Sequence, residues 1–140
     1  SKFNKLEKLN LDQVDFKNNE LTLPESLKEL NISSTYLDET NLNKVLNQVR
    51  RLEKLNLSRL LNVNVDVAKL KIPTNVKVLE ISGSDELDLE KAKQLLTKLE
   101  KFDKFEKLVV DRKVYFKLIN DSGLKKSLKE KLTYPNRVEE

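Results

Sequence analysis

The sequence predicts an α/β fold in which short strands stand side by side while helices or extended segments return behind them. Three observations predict it. A six-residue frame, apolar at its first, fourth and sixth positions, occurs five times: LEKLNL from Leu6, LKELNI from Leu27, LEKLNL from Leu52, VKVLEI from Val76 and FEKLVV from Phe105. Successive copies start 21, 25, 24 and 29 residues apart, at residues 6, 27, 52, 76 and 105. Between the second and third copies, and again between the fourth and fifth, apolar residues recur at helical spacing.

The frame has a direct physical reading. Its fourth and sixth residues, Leu9 and Leu11 in the first copy, are two apart and share one strand face, while Asn10 between them faces the other way. One such strand cannot bury its apolar face alone, whereas five side by side share a continuous core. The frame and its period resemble the leucine-rich repeat family, over nearly all of the chain. That resemblance implies a solenoid, with short parallel strands on a concave face and helices and extended turns on a convex face. The family usually carries Asn or Cys at the ninth position; here Val14, Thr35, Leu60, Ser84 and Lys113 stand there. The turn after each strand is therefore expected to be held in another way. Residues 1–113 are assigned to five repeats and residues 114–140 to a helical C-terminal cap and tail.

In order along the chain, Phe3 and Leu6 open the first strand, with no capping helix before it, so a sheet edge and core leucines are expected to be open there. The first return, 14–26, contains Pro24 and is expected to be extended or a single turn. The second, 38–51, carries Leu42, Val45, Leu46 and Val49 at helical spacing, with Asp38 or Thr40 as its cap and Arg50 and Arg51 at the negative end of its dipole. The third, 60–73, alternates Leu61, Val63, Val65 and Val67 with polar residues, which suggests an extended segment or an extra strand; a helical turn around Ala68 and Leu70 is the alternative. The fourth is the clearest helix: Asp88 caps a stripe of Leu89, Ala92, Leu95, Leu96, Leu99 and Phe102. Gly83 permits the turn after the fourth strand. Two short helices are expected beyond the fifth frame, over 114–120 and 124–132. Leu124, Leu128 and Leu132 form the stripe of the second, and a frayed tail follows Pro135.

Composition narrows the function. The 140 residues contain no His and no Cys, which removes His-dependent nucleophile systems, disulfides and thiolate metal sites. No phosphate-cradling glycine motif is present. The one acidic cluster, Asp85, Glu86, Asp88 and Glu90, reads as helix capping rather than a calcium loop. No catalytic, cofactor or metal residue is assigned, and the expectation is a protein that is not an enzyme. No apolar run approaches the length of a membrane span, and the lack of disulfide-stapled caps points to an intracellular setting, cytoplasmic or nuclear. The absence of an initiator Met suggests an excised piece of a larger protein.

Given the resemblance, the candidate binding surface is the concave face, reached by the third, fifth and seventh frame positions. These are Lys8, Asn10 and Asp12; Glu29, Asn31 and Ser33; Lys54, Asn56 and Ser58; Val78, Glu80 and Ser82; Lys107, Val109 and Asp111. Asn10, Asn31 and Asn56 align as one row, either a hydrogen-bonding strip for a partner or an amide ladder within the sheet. Lys8, Glu29 and Lys54 read as cross-strand charge pairs. Val78 and Val109 make a small apolar spot beside Lys107 and Arg112. Residues 101–140 carry 11 Lys or Arg against 7 Asp or Glu, while residues 1–100 balance at 16 and 16. Lys113, Lys117, Lys125, Lys126, Lys129 and Lys131 thus form a candidate basic patch, with Tyr115 and Phe116 assigned to the core. The leading expectation is a non-catalytic protein–protein interaction module with another protein as partner, and with no membrane or small-molecule ligand. The alternatives are a substrate receptor of an F-box-type ubiquitin ligase, or a nucleic-acid-associated subunit using the basic cap.

Overall fold

The structure is a computed structural model and describes residues 5–14, 21–61, 64–83 and 87–135. Phe3, part of the first return, Asn62 and Val63, Ser84 with Asp85 and Glu86 of the acidic cluster, and the tail from residue 136 lie outside the described residues.

Each frame supplies one strand: β1 Lys8–Asn10, β2 Glu29–Asn31, β3 Lys54–Asn56, β4 Val78–Glu80 and β5 Lys107–Val109. A further strand, β6 Leu132–Thr133, follows. Together they form one open parallel sheet in the order β1 to β6. The register puts Leu9, Leu30, Leu55, Leu79, Leu108 and Leu132 in a single row. Parallel neighbours consecutive in sequence require a crossover each time, and the returns supply it on the face the leucines point to. The core is accordingly the first, fourth and sixth frame residues of the second to fifth copies, all buried, together with the apolar stripes of the returns.

The turns after β1 to β4 share one backbone geometry. The eighth frame residue adopts a left-handed conformation in four copies, with φ of 65° at Gln13, 57° at Ser34, 52° at Arg59 and 73° at Gly83. For three side chains this conformation costs about 1–2 kcal/mol each, and a hydrogen bond offsets it. The Gln13, Ser34 and Arg59 amides donate to the carbonyls of Ser33, Ser58 and Ser82 at 3.1, 2.9 and 3.0 Å. At Gly83 the amide donates to the Asp111 carboxylate instead, at 2.7 Å.

The returns follow their local sequence with some corrections. Helix α1 spans Glu39–Leu46 and buries Leu42, Val45 and Leu46; Asp38, not Thr40, caps it by accepting from the Asn41 amide at 2.9 Å. It ends before Arg50 and Arg51, so Lys44 is the basic residue of its last turn. Helix α2 spans Leu89–Leu99, with Asp88 accepting from the Lys91 amide at 2.7 Å. The third return forms a 3-10 turn at Val67–Lys69 and no strand among its described residues. Helix α2 explains why. Lys91 Nζ lies 2.9 Å from an Asp66 carboxylate oxygen, and Lys98 Nζ donates to the Ala68 and Leu70 carbonyls. These contacts fold the segment onto the helix, and burial pushes the Lys98 amine pKa down.

At the C-terminus, helix α3 spans Arg112–Ile119 and helix α4 Lys126–Lys129. Leu124, Leu128 and Leu132 are all buried, but they lie on a turn, on α4 and on β6 rather than along one helix. The open edge of β5 draws the chain into the sheet: Leu108 donates to the Lys131 carbonyl at 2.8 Å and Val110 to the Thr133 carbonyl at 3.0 Å. Among the described residues, no helix is long and apolar enough to cross a membrane.

Candidate functional site

The third and fifth frame residues sit on the sheet face opposite the core. Over β1–β4 this face forms an open groove of about 450 Å³. Its lining includes Lys8, Asn10, Glu29, Asn31, Lys54, Asn56, Val78 and Glu80, eight residues that the frame alone placed on one face. Lys107 and Val109 continue the two rows on β5, opposite Val78 and Glu80 in register, and are not part of the groove lining.

The third-position row is partly neutralised within itself. Glu29 lies 3.2 Å from Lys8 Nζ and 3.9 Å from Lys54 Nζ. Both lysine side chains are well exposed, so each pair contributes no more than about 1 kcal/mol. Val78 interrupts the row and Lys107 resumes it.

The fifth-position row consists of amides with one end committed. The Oδ1 atoms of Asn10, Asn31 and Asn56 each accept the backbone amide two residues on, from Asp12, Ser33 and Ser58, at 2.9 Å in all three. A backbone N–H demands an oxygen, which fixes how each amide group is turned. The three NH2 groups have no hydrogen-bond partner among the described residues. Strand spacing sets them about 4.8 Å apart. The row is thus no cross-strand amide ladder: each oxygen serves its own turn, and each NH2 is left as a donor.

The seventh-position residues depart from expectation. Ser33, Ser58 and Ser82 are only 3%, 6% and 4% exposed, not outward-facing. The strand has ended by this position, and the left-handed residue that follows rotates the chain so that the hydroxyl packs under the neighbouring turn. Ser33 donates to Asp12 Oδ1 at 2.8 Å, Ser82 donates to Glu80 Oε2 at 3.0 Å, and the Ser82 amide donates to Ser58 Oγ at 3.1 Å. The Ser33 hydroxyl, with those of Ser34 and the Arg59 guanidinium, holds the Asp12 carboxyl below the usual carboxylate range. Asp111 is likewise engaged, by the Gly83 amide. These residues form a hydrogen-bonded rim along the ends of the strands, and the surface open to a partner narrows to the third and fifth positions.

The basic C-terminal segment is less concentrated than its sequence. Lys125 lies 3.4 Å from Glu100, and Lys131 Nζ donates to the Phe105 carbonyl at 3.0 Å. Phe116, assigned to the core, is 40% exposed. It packs with Tyr115 and with Tyr134, which sequence reasoning had not connected to it, at centroid separations of 5.2 and 5.8 Å. Arg112 lies 5.9 and 5.7 Å from the Phe116 and Tyr134 rings. Glu90 of the acidic cluster pairs with Lys93 at 3.5 Å, and among the described residues no three acids gather into a metal-binding group. Compared with known proteins, the chain matches no family model and no curated protein.

Proposed function

We propose that the chain is a solenoid of the leucine-rich repeat kind, and that its groove is the binding face of a non-catalytic protein–protein interaction module within a larger intracellular protein or complex. The five-fold frame and the in-register parallel ladder support the solenoid reading. The row of amide donors carries the functional one: Asn10, Asn31 and Asn56 hold six N–H bonds, two from each NH2, that meet no acceptor among the described residues. Such a row suits the carbonyl oxygens of a polypeptide laid across the strands. The flanking lysines and Val78 add charge and a small apolar contact.

The test exploits the turned amides. Asn31→Asp and Asn56→Asp preserve the oxygen that each turn needs and replace the donor with an acceptor; Val109→Asp extends the change to β5. The wild-type chain and the triple variant, shown by circular dichroism to be equally folded, are used as bait for cross-linked partners. Loss of the wild-type set from the variant is expected. Equal recovery by both removes the groove as the binding face.

A further inference from the structure

Two rows of charge cross the sheet in opposite phase, and they break at one residue. The second frame positions read Glu7, Lys28, Glu53, Lys77 and Glu106, alternating in sign. The third positions alternate in the opposite sense from Lys8 to Lys107, except at Val78, where an acid would stand. Where the alternation holds, neighbours pair: Lys28 with Glu7 at 3.9 Å, Lys77 with Glu53 at 3.6 Å, and Glu29 with both Lys8 and Lys54. Glu29 thus places one carboxylate between two lysines from the strands on either side of it.

At Val78 that arrangement lacks its centre. The register sets Lys54 and Lys107 on either side of Val78, each about 4.8 Å away across the sheet. Lys107 has no ion pair among the described residues. Lys54 has only Glu29 among them, which lies nearer to Lys8, and its side chain is 62% exposed. The next acid on this face, Glu80, accepts from the Ser82 and Ser58 hydroxyls at 3.0 and 3.5 Å and pairs with neither lysine. Val78 itself is half-buried and gives an apolar floor between the two ammonium groups.

We propose that Lys54, Val78 and Lys107 form a specificity subsite for one Asp or Glu side chain of the polypeptide bound in the groove. The carboxylate sits between the two ammonium groups, as that of Glu29 sits between Lys8 and Lys54, and its methylenes lie on Val78. A single acid suits this face better than a chain of phosphates. Glu29 and Glu80 stand on the same face and repel a continuous polyanion, while the amide row takes uncharged carbonyls. The subsite rests on the groove being the binding face, and it adds the charge that the partner carries at one position.

Random dodecapeptides displayed on phage are selected on the intact chain, and the binders are synthesised and mapped by NMR. They are expected to shift the amides of Asn31, Asn56 and Val78 and to share an Asp or Glu. Changing that acid to Asn or Gln is expected to weaken binding at least about threefold. In Lys107→Gln, and in Val78→Glu, which supplies the missing carboxylate from the chain itself, the difference should fall below about twofold. Circular dichroism checks that both variants fold, and Lys107→Gln, a change at an exposed residue, carries the test if Val78→Glu does not. A shared acid whose effect is unchanged in the folded variants sits elsewhere and overturns the subsite. Groove binders with no shared acid overturn the subsite and leave the groove as the binding face. Recovery of no peptide, or of peptides that shift no groove amide, overturns the groove and the subsite together. Saturable shifts at Val78 and Lys107 on adding oligothymidine at physiological salt overturn the choice of a polypeptide acid over phosphate.

Discussion

Leu6 and Phe105 occupy the same first position of the frame, yet one is 36% exposed and the other 2%. The difference lies in what stands beside each. Phe105 has α2 and β4 before it, while the chain beyond β5 turns through α3 and α4 and returns as β6, so that Leu118, Leu128 and Leu132 close the core on that side. Among the described residues no strand precedes β1. Burial at a frame position is thus a property of having neighbours on both sides, as expected where each unit contacts chiefly the next.

The contrast is most sharply tested by truncation. Phe105→Ala is expected to lower the unfolding free energy by about 3–5 kcal/mol in urea titration. Leu6→Ala, at the open end, should lose about 1 kcal/mol or less. Equal losses would mean that the two ends are closed alike. The turns give a smaller effect. Gly83→Ala places a Cβ 2.7 Å from Arg59 Cγ at a positive φ, and a cost of about 1–2 kcal/mol is expected. At the open end the same position holds Gln13, and Gln13→Gly should leave stability unchanged or raise it by up to about 1 kcal/mol. A shared sign for the two changes would dissociate the turns from their left-handed geometry.

The smallest effect is on acid unfolding. A hydrogen bond from Lys91 holds the Asp66 carboxyl below the usual range, and one from Lys93 does the same for Asp121. An unfolded Asp titrates near about 3.9. A carboxyl whose folded pKa is lower contributes stability that is whole above that value and is lost as pH falls through the folded one. Asp66→Asn and Asp121→Asn should therefore reduce the drop in stability below about pH 4, read from urea midpoints between neutral and acid pH. An unchanged drop in both variants would show that neither tie carries acid sensitivity.

Much of the groove was legible because alternation is a local property. Once Leu9 and Leu11 are given to the core, Asn10 must face away, and the same holds for Asn31 and Asn56. Parity stops with the strand, which is why Ser33 and Ser58 were expected outside and are buried. Gln13, Ser34 and Arg59 carry no sign of a left-handed backbone in their own chemistry; only Gly83 does. Leu132 and Thr133 are too few to show a period, and Leu132 fits a helical stripe as well as a strand.

The sequence by itself determined where β1 to β5 lie, that the first, fourth and sixth frame residues turn toward the core, where α2 begins, and that Lys8, Glu29 and Lys54 would meet. Each of these depends on spacing within one segment or on a repeated frame laid beside its copy. Tertiary structure alone decided the buried serine rim, the 3-10 turn held by Lys91 and Lys98, the recruitment of β6 and the exposure of Phe116. In each case the partner is a backbone group or side chain from another part of the chain, and no local periodicity records where that partner will stand.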